Sequence, residues 1–322
     1  MNFGDRIQKL GGFPTGFGES VSPAFGNVYF VDGTNGDSGN DGDNPSEALD
    51  TITNAITAQT AATGSLGDVI YVLPGTYAES VTGSLTGVQV IGAGVTPYSV
   101  QIAPIATYAY TGAMTRAALR NLKFVSSSST NPEYPAVLIT SNMMYSVIDN
   151  CHFTGGHDDA LVGLHLGAVT AHTGWEQVEF SRITNNLFAA DASHQFETAI
   201  NVFGFSGAKT GHSTKIIKSS LIADNWILAK YWGIRLNLGE HGTRGSMIRG
   251  NTITSSQTNY GCGYAGIKTE AANEDELCYV IGNYVHATIS PNAIEGFGSQ
   301  FIMGNIVSYS AGDPDTLYPA EA

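Results

Sequence analysis

Between residues 119 and 307, apolar and polar positions recur as one short phrase: a hydrophobic residue, one or two linkers, an Asn, then a β-prone tail. The copies read LRNLKF around Asn121, IDNCHF around Asn150, ITNNLF around Asn186, IADNWIL around Asn225, IRGNTIT around Asn251, VIGNYVH around Asn283 and IMGNIVS around Asn305. Successive Asn residues stand 29, 36, 39, 26, 32 and 22 positions apart. A recurrence on this period predicts a solenoid, in which each coil buries its apolar face only against its neighbours. A second register lies between the copies: a small residue, an apolar one, a variable one, then usually an apolar one. It reads Ala136-Val137-Leu138-Ile139, Gly163-Leu164-His165-Leu166, Ala199-Ile200-Asn201-Val202, Gly233-Ile234-Arg235-Leu236, Gly266-Ile267-Lys268-Thr269 and Ala293-Ile294-Glu295-Gly296. Alternation of this kind is the period of a half-buried strand. Each coil is therefore expected to hold at least two strands and a bend marked by Asn.

Asn suits that bend on two counts. It tolerates left-handed backbone better than other residues with a Cβ, and its amide both donates and accepts. Amides stacked at the inter-strand spacing of ~4.8 Å can bond from coil to coil. The seven Asn residues are thus expected to form a structural ladder.

The chain divides into four stretches. Residues 1–27 are rich in Gly and Phe without periodicity and read as an extended arm, with Phe3, Phe13, Phe17 and Phe25 as docking residues for another protein. Residues 28–67 hold a strand (VYFVD), an acidic loop and a helix that caps the open end of the solenoid. In the loop, Asp32, Asp37, Asp41 and Asp43 read either as solvated turn residues or as calcium ligands, although the spacing is not that of an EF-hand. Asn44-Pro45-Ser46-Glu47 has the form of a helix start, and Ala48, Ile52, Ala55, Ile56 and Gln59 then share one face. Residues 68–310 form the solenoid proper, and 311–322 a polar tail.

Composition narrows the function. The 322 residues include 39 Gly, which with the many short apolar runs indicates an all-β chain full of turns. Lys and Arg total 14 against 28 Asp and Glu, a net charge of −14. That balance argues against nucleic acid, whose phosphates demand basic residues, and against anionic membranes. The three cysteines, Cys151, Cys262 and Cys278, are no disulfide framework; whether Cys262 and Cys278 pair is left open. The first residues contain no apolar stretch of signal-peptide length, so no ordinary leader is expected.

The helix after NPSEA, the segment GDVIYVLPGTYAE, the strand GVQVIGAG and the two repeated strand types together resemble the right-handed parallel β-helix superfamily, the pectate-lyase-like fold. The resemblance spans roughly residues 28–310 and implies an all-β, right-handed, single-stranded parallel β-helix with an N-terminal capping helix. It does not imply one activity, because lyases, hydrolases, esterases and phage tailspikes share these elements. GDVIYVLPGTYAE is also similar to the first coils of pectin methylesterases. The Gln-Asp pair, the DFIFG-like segment and the Arg-Pro-Trp segment of those enzymes are not found. Of the polygalacturonase motifs, only Asp158-Asp159 and Gly211-His212-Ser213 are echoed, at the wrong distance.

Enzymes of this superfamily place active groups outward on the strand of the second register. That implies a column of Leu138, His165, Asn201, Arg235, Lys268 and Glu295, with Asn237 and Glu270 two residues on. His165, Asn201, Arg235, Lys268 and Glu295 are its glycan-binding candidates; the competing reading is a salt-bridge ladder. Glu270 and Glu295 beside Lys268 make a poor acid–base pair for glycoside hydrolysis. Arg235 and Lys268 suit a lyase better. His152, His157, His165, His172, His194 and His212 crowd into the two longest coils, where GGHDDA and DASHQFE read as turns or as metal ligands. Trp175, Trp226, Tyr231 and Trp232 are candidate sugar platforms, with Trp226, beside Asn225, read as core or groove packing.

The first expectation is a non-catalytic virion protein, a phage decoration protein, fibre or spike. It attaches to other virion proteins through residues 1–27 and, by resemblance, associates as a homotrimer. No catalytic residue is assigned, and no cofactor apart from the calcium alternative. The alternatives are a polysaccharide lyase or hydrolase acting on acidic glycans, and a carbohydrate-binding surface module.

Overall fold

The computed structural model describes residues 26–62, 66–105, 107–126, 135–155, 162–167, 178–189, 196–203, 217–239, 243–254, 265–271, 278–287, 294–295 and 301–309. Within them the chain winds as a right-handed parallel β-helix, as the repeated phrase predicts. The first sheet stacks ten short strands, from Val28–Val31 and Asp68–Val72 through Ala118–Arg120, Val147–Asp149, Arg182–Thr184 and Leu221–Ala223 to Phe301–Met303. The second and third sheets join through one long strand, Trp226–Gly239, which passes from one to the other without a corner. Every registered strand pair is parallel, for example Ile148 with Leu119 on one side and Ile183 on the other. Parallel crossovers of this kind are right-handed because a right-twisted strand packs back onto its sheet only that way.

The corners explain the phrase. Five three-residue strands of the first sheet each lie between two left-handed residues. They are Arg116 and Asn121, Tyr145 and Asn150, Phe180 and Asn185, Ser219 and Asp224, and Gly245 and Gly250. Gly282 and Gly304 hold the second corner in the last coils. The residue after that corner points inward, where Asn186, Asn225, Asn251, Asn283 and Asn305 stack as a buried amide ladder. Each amide bonds to the next: Asn186 to Asn225 (3.0 Å), Asn225 to Asn251, Asn251 to Asn283 and Asn283 to Asn305 (2.9 Å each). Each also donates to a backbone carbonyl of the preceding coil, as Asn251 does to Ile222 at 3.0 Å.

At two of the seven positions the coil-to-coil bond is made outside the buried ladder: the Asn150 amide donates to Asn121 Oδ1 at 3.1 Å. Asn121 and Asn150 are the left-handed corner residues themselves, with φ of 53° and 50°. They sit one place before the ladder, whose inward positions in those coils hold Leu122 and Cys151. The two virtues of Asn are therefore divided between consecutive residues, and only Asn185-Asn186 supplies both with Asn. Cys151 closes the ladder by donating its backbone N–H to Asn186 Oδ1 at 2.9 Å. Its thiol is pushed up to about 12 by burial.

A second polar ladder flanks the same strands. Ser146, Ser181, Ser220 and Ser246 are buried, and each hydroxyl accepts the N–H of its counterpart in the preceding coil, as Ser181 does from Ser146 at 3.1 Å. Cys278 is buried at the matching place one coil later. Inside the second sheet, Ile102, Phe124, Phe153, Phe188, Ile227, Ile253, Val285 and Val307 form one inward column in register.

The capping helix begins later than Asn44-Pro45-Ser46-Glu47 predicts. Asn44 does cap a turn, but only a short 3₁₀ one over Pro45–Glu47. Ala48 is extended, and Leu49 pairs with the first strand through its N–H on Phe30 O at 2.9 Å, so strand pairing overrides the helix. The helix, α1 (Ile52–Ala61), starts after Thr51, whose hydroxyl accepts from Asn54 N–H at 3.1 Å. Glu79 accepts from the N–H groups of Ile52 (2.7 Å) and Thr53 (3.1 Å), a carboxylate at the positive end of the helix. Ile52, Ala55, Ile56 and Gln59 face the core as expected. Gln59 is tolerated there because its amide donates to buried Asp68 at 3.0 Å. Among the described residues no helix is long and apolar enough to cross a membrane.

Candidate functional site

The outward column of the third sheet exists in the expected register: Leu138 pairs with His165, His165 with Asn201, Asn201 with Arg235, Arg235 with Lys268, and Lys268 with Glu295. Thr82 and Thr111 extend it toward the N-terminal end. Burial splits it in two, which the sequence did not reveal. Leu138, His165 and Asn201 are only 5%, 7% and 8% exposed. His165 and Asn201 are therefore not surface ligands; the Asn201 amide donates to His165 Nδ1 at 3.2 Å, which leaves the ring proton on Nε2. Arg235 and Lys268 are half-buried, so the accessible part of the column begins with them.

A bulge aims further groups at the same place. Between Ala229 and Trp232 the long strand carries one residue more than its partner between Phe196 and Thr198. Bulges re-aim side chains and recur beside functional sites. Here the extra residue brings Lys230, Tyr231 and Trp232 together. Lys230 Nζ stands 5.2 Å from the Tyr231 ring centre, Tyr231 meets Trp232 edge-on at 5.9 Å, and the Arg235 guanidinium lies 4.5 Å over the Trp232 ring. The indole holds the guanidinium by cation–π attraction while leaving its N–H groups directed along its plane. These contacts link Lys230, Tyr231, Trp232 and Arg235 in a chain, with Lys268 next to Arg235 in register and Glu197 on the strand opposite the bulge. The sequence signal for this was the run Lys230-Tyr231-Trp232, which breaks the alternation; Lys230 was not singled out. Among the described side chains of the column there is no carboxylate. Glu295 continues the backbone register, but its side chain, like those of Asn237 and Glu270, lies outside the described ones.

The remaining candidates are placed differently. Asp32 is used locally: its carboxylate accepts from Thr34 N–H (2.9 Å) and from Asn35, and these bonds hold its pKa below the usual range. Asp37 accepts from Gly39 N–H at 2.7 Å. The carboxylates that come together are those of Asp41, Asp43 and Glu47, all exposed, and the Asn44 amide already donates to Asp43 and Glu47. The four-Asp calcium set is thus not assembled. Trp226 is 61% exposed, so the packing reading of it is wrong: the inward place beside it belongs to Asn225. Phe3, Phe13, Phe17, Phe25, His157, Asp158, Asp159, His172, Trp175, His194, His212 and Cys262 lie outside the described residues.

His152, on the outer face of the second sheet, is buried under Tyr98, whose ring lies 4.7 Å away. Its Nε2–H donates to Ala189 O at 3.2 Å and its Nδ1 has no partner. Burial pushes its pKa down to about 4, helped by the nearby Lys123. The unfolded chain then binds a proton that the folded one refuses. The stability present above the ordinary His value of 6.5 is accordingly lost as pH falls toward about 4. The expected loss is on the order of 2–3 kcal/mol. Urea unfolding at about pH 7 and about pH 4.5 checks this, and His152→Gln should remove that share of the slope.

No family model matches the sequence, and no curated protein matches it. Among solved structures the chain is similar to YbhC of Escherichia coli, at 10% identity over 89% of this chain and 86% of that one, with a TM-score of 0.53. It is also similar to the pectin methylesterase of Aspergillus niger (14% identity, 94% of each chain, TM-score 0.52). A third similar structure is the pectin methylesterase from carrot (10% identity, 92% and 86%, TM-score 0.50). At such identities the likeness shows the fold alone: the chain is a right-handed parallel β-helix.

Proposed function

We propose that this chain is a lyase-type enzyme acting on an acidic polysaccharide laid along the outer face of the third sheet. One observation carries the reading: Arg235 and Lys268 are register neighbours, so their backbones stand ~4.8 Å apart, with Trp232 backing the guanidinium. Arg235 pairs with a uronate carboxylate and lowers the cost of charge building on it. The Lys268 amine takes the proton α to that carboxylate, a C=C bond forms in the ring as the C–O bond to the next sugar breaks, and the departing sugar oxygen takes its proton from water. The virion expectation drew chiefly on the N-terminal arm, of which residues 1–25 lie outside the described residues. The polysaccharide alternative is preferred because its residues are brought together, and because structural neighbours of the same fold include pectin methylesterases.

The test is the ultraviolet absorbance of new unsaturated ends from polygalacturonate and from alginate. Arg235→Ala and Lys268→Ala should each lower the rate by about 100-fold, and Lys268→Arg should restore binding without the rate. Retention on polyuronate gels without product would leave a binding module in place of an enzyme. Neither product nor retention would defeat the reading.

A further inference from the structure

The outer face of the second sheet carries a second pattern, distant in role from Arg235 and Lys268. Its first outward column runs Lys123, His152, Leu187, Trp226, Thr252, Tyr284, Ile306, each in register with the next. Aromatic surface recurs on every second coil. Tyr98 lies over His152, Trp226 follows two coils later, and Tyr284 two coils after that. Tyr98 is 54%, Trp226 61% and Tyr284 40% exposed, and the Tyr98 ring also carries Lys123 Nζ at 5.8 Å from its centre. The corner leading into this sheet is only two residues long, so the first residue of each strand follows directly on the inward ladder position. The identical register from coil to coil keeps the column straight, as stacked ladders do in flat sheets.

We infer that this face is a binding platform for an extended β-1,4-linked polysaccharide of glucan type, separate from the third-sheet site. The argument is one of spacing and surface chemistry. A β-gluco ring carries its hydroxyls equatorially, so its two faces are C–H and stack on aromatic rings. In an extended β-1,4 chain each sugar is turned over relative to the last, so the same face returns once per disaccharide. Two inter-strand steps are ~9.6 Å, which matches that repeat. Tyr98, Trp226 and Tyr284 therefore meet alternate sugars, with the smaller side chains of Leu187 and Thr252 at the steps between. Tyr and Trp suit the task because a polar tip accompanies an apolar face.

A second copy of this chain is the competing occupant, and area decides against it. From Leu187 to Ile306 the column crosses four steps, ~19 Å, and with its flanking residues covers only a few hundred Å². A stable dimer needs roughly 800 Å² from each partner. The aromatic–aliphatic–aromatic–polar–aromatic order also serves a periodic ligand better than a continuous apolar interface, from which a central Thr detracts.

The test uses the full chain, microcrystalline cellulose for retention and cellohexaose for titration calorimetry. Retention of the native protein is expected, weakened by about tenfold or more in Trp226→Ala combined with Tyr284→Ala. Thr252→Arg should do the same by obstructing the chain with both rings in place. Arg235→Ala with Lys268→Ala should leave retention unchanged, so failure here and failure of the lyase reading are distinguishable. All these changes are at surface positions, and an unchanged urea midpoint verifies folding. No retention of the native protein, or equal retention by the ring variants, overturns the inference. So does sedimentation showing that the ring variants turn a dimer into monomers.

Discussion

Asn251→Ala should lower the unfolding free energy by ~3–5 kcal/mol, whereas Asn121→Gly should change it by less than ~0.5 kcal/mol. The two residues occupy the same place in the repeated phrase, so the contrast is diagnostic. Asn251 Oδ1 accepts from Asn225 twice, from the backbone N–H at 3.1 Å and from the amide at 2.9 Å. Its own amide donates to Ile222 O and to Asn283 Oδ1. The residue is fully buried, so water cannot replace what Ala removes. Two donors and one carbonyl lose a partner, at ~1–3 kcal/mol for each group left unsatisfied. Asn121 instead is a partly exposed corner residue; its amide donates to Gly92 O and Gly94 O at 2.8 and 3.0 Å, and its Oδ1 accepts from the exposed Asn150 amide at 3.1 Å. Gly at that corner loses those bonds but gains relief from left-handed backbone, which costs a residue with a Cβ roughly 1–2 kcal/mol. Urea midpoints at constant slope measure both. Equal effects at the two sites would show that the ladder does not begin after Asn150.

The coil repeat was readable because solenoid energetics are local: each coil repeats the demands of the one before, and sequence repeats with it. The ladder's start was misread because two adjacent demands, a left-handed corner and an inward amide, are both met by Asn. Once the second corner is taken by Gly250, Gly282 and Gly304, only the ladder Asn remains and the phrase is unambiguous. Ser146, Ser181, Ser220 and Ser246 carried an equally regular signal, five residues ahead of the ladder position in every case. It was missed because Ser in a turn-rich chain looks ordinary, and only burial distinguishes these four.

The outward column was readable in register but not in burial. Alternation says which residues leave the sheet, yet it does not say what then covers them. His165 and Asn201 leave it and are covered; Arg235 and Lys268 leave it and remain accessible. The bulge at Lys230 and Tyr231 was hidden for a related reason, since an extra residue is defined only against its partner strand. Trp226 failed in the opposite direction. Adjacency to a ladder Asn suggested packing, but strand alternation puts the neighbour of an inward residue outside.

Phe153→Ala should cost ~3–5 kcal/mol, the range for deleting a fully buried aromatic. Phe153 lies between two further rings in the inward column. Phe124 is 5.4 Å away and Phe188 4.4 Å, the latter within 7° of parallel, and all three are wholly buried. Ala at the centre forfeits both stacking contacts, each worth ~0.5–1.5 kcal/mol beyond area. The cavity cannot close readily, because the spacing of the coils is fixed by backbone bonds on either side: Lys123 to Val125 pair with His152 to Thr154, and His152 and Phe153 with Leu187 and Phe188. Phe153→Leu keeps most of the volume and should cost less than ~1.5 kcal/mol. Val307→Ala, in the same column but in the last described coil, should cost about 1 kcal/mol, since fewer neighbours lose contact. Guanidinium unfolding of the three variants measures the gradient. A loss for Phe153→Ala no larger than for Val307→Ala would mean that the rings are not packed as one column. The interior of the β-helix would then owe its order to the polar ladders alone.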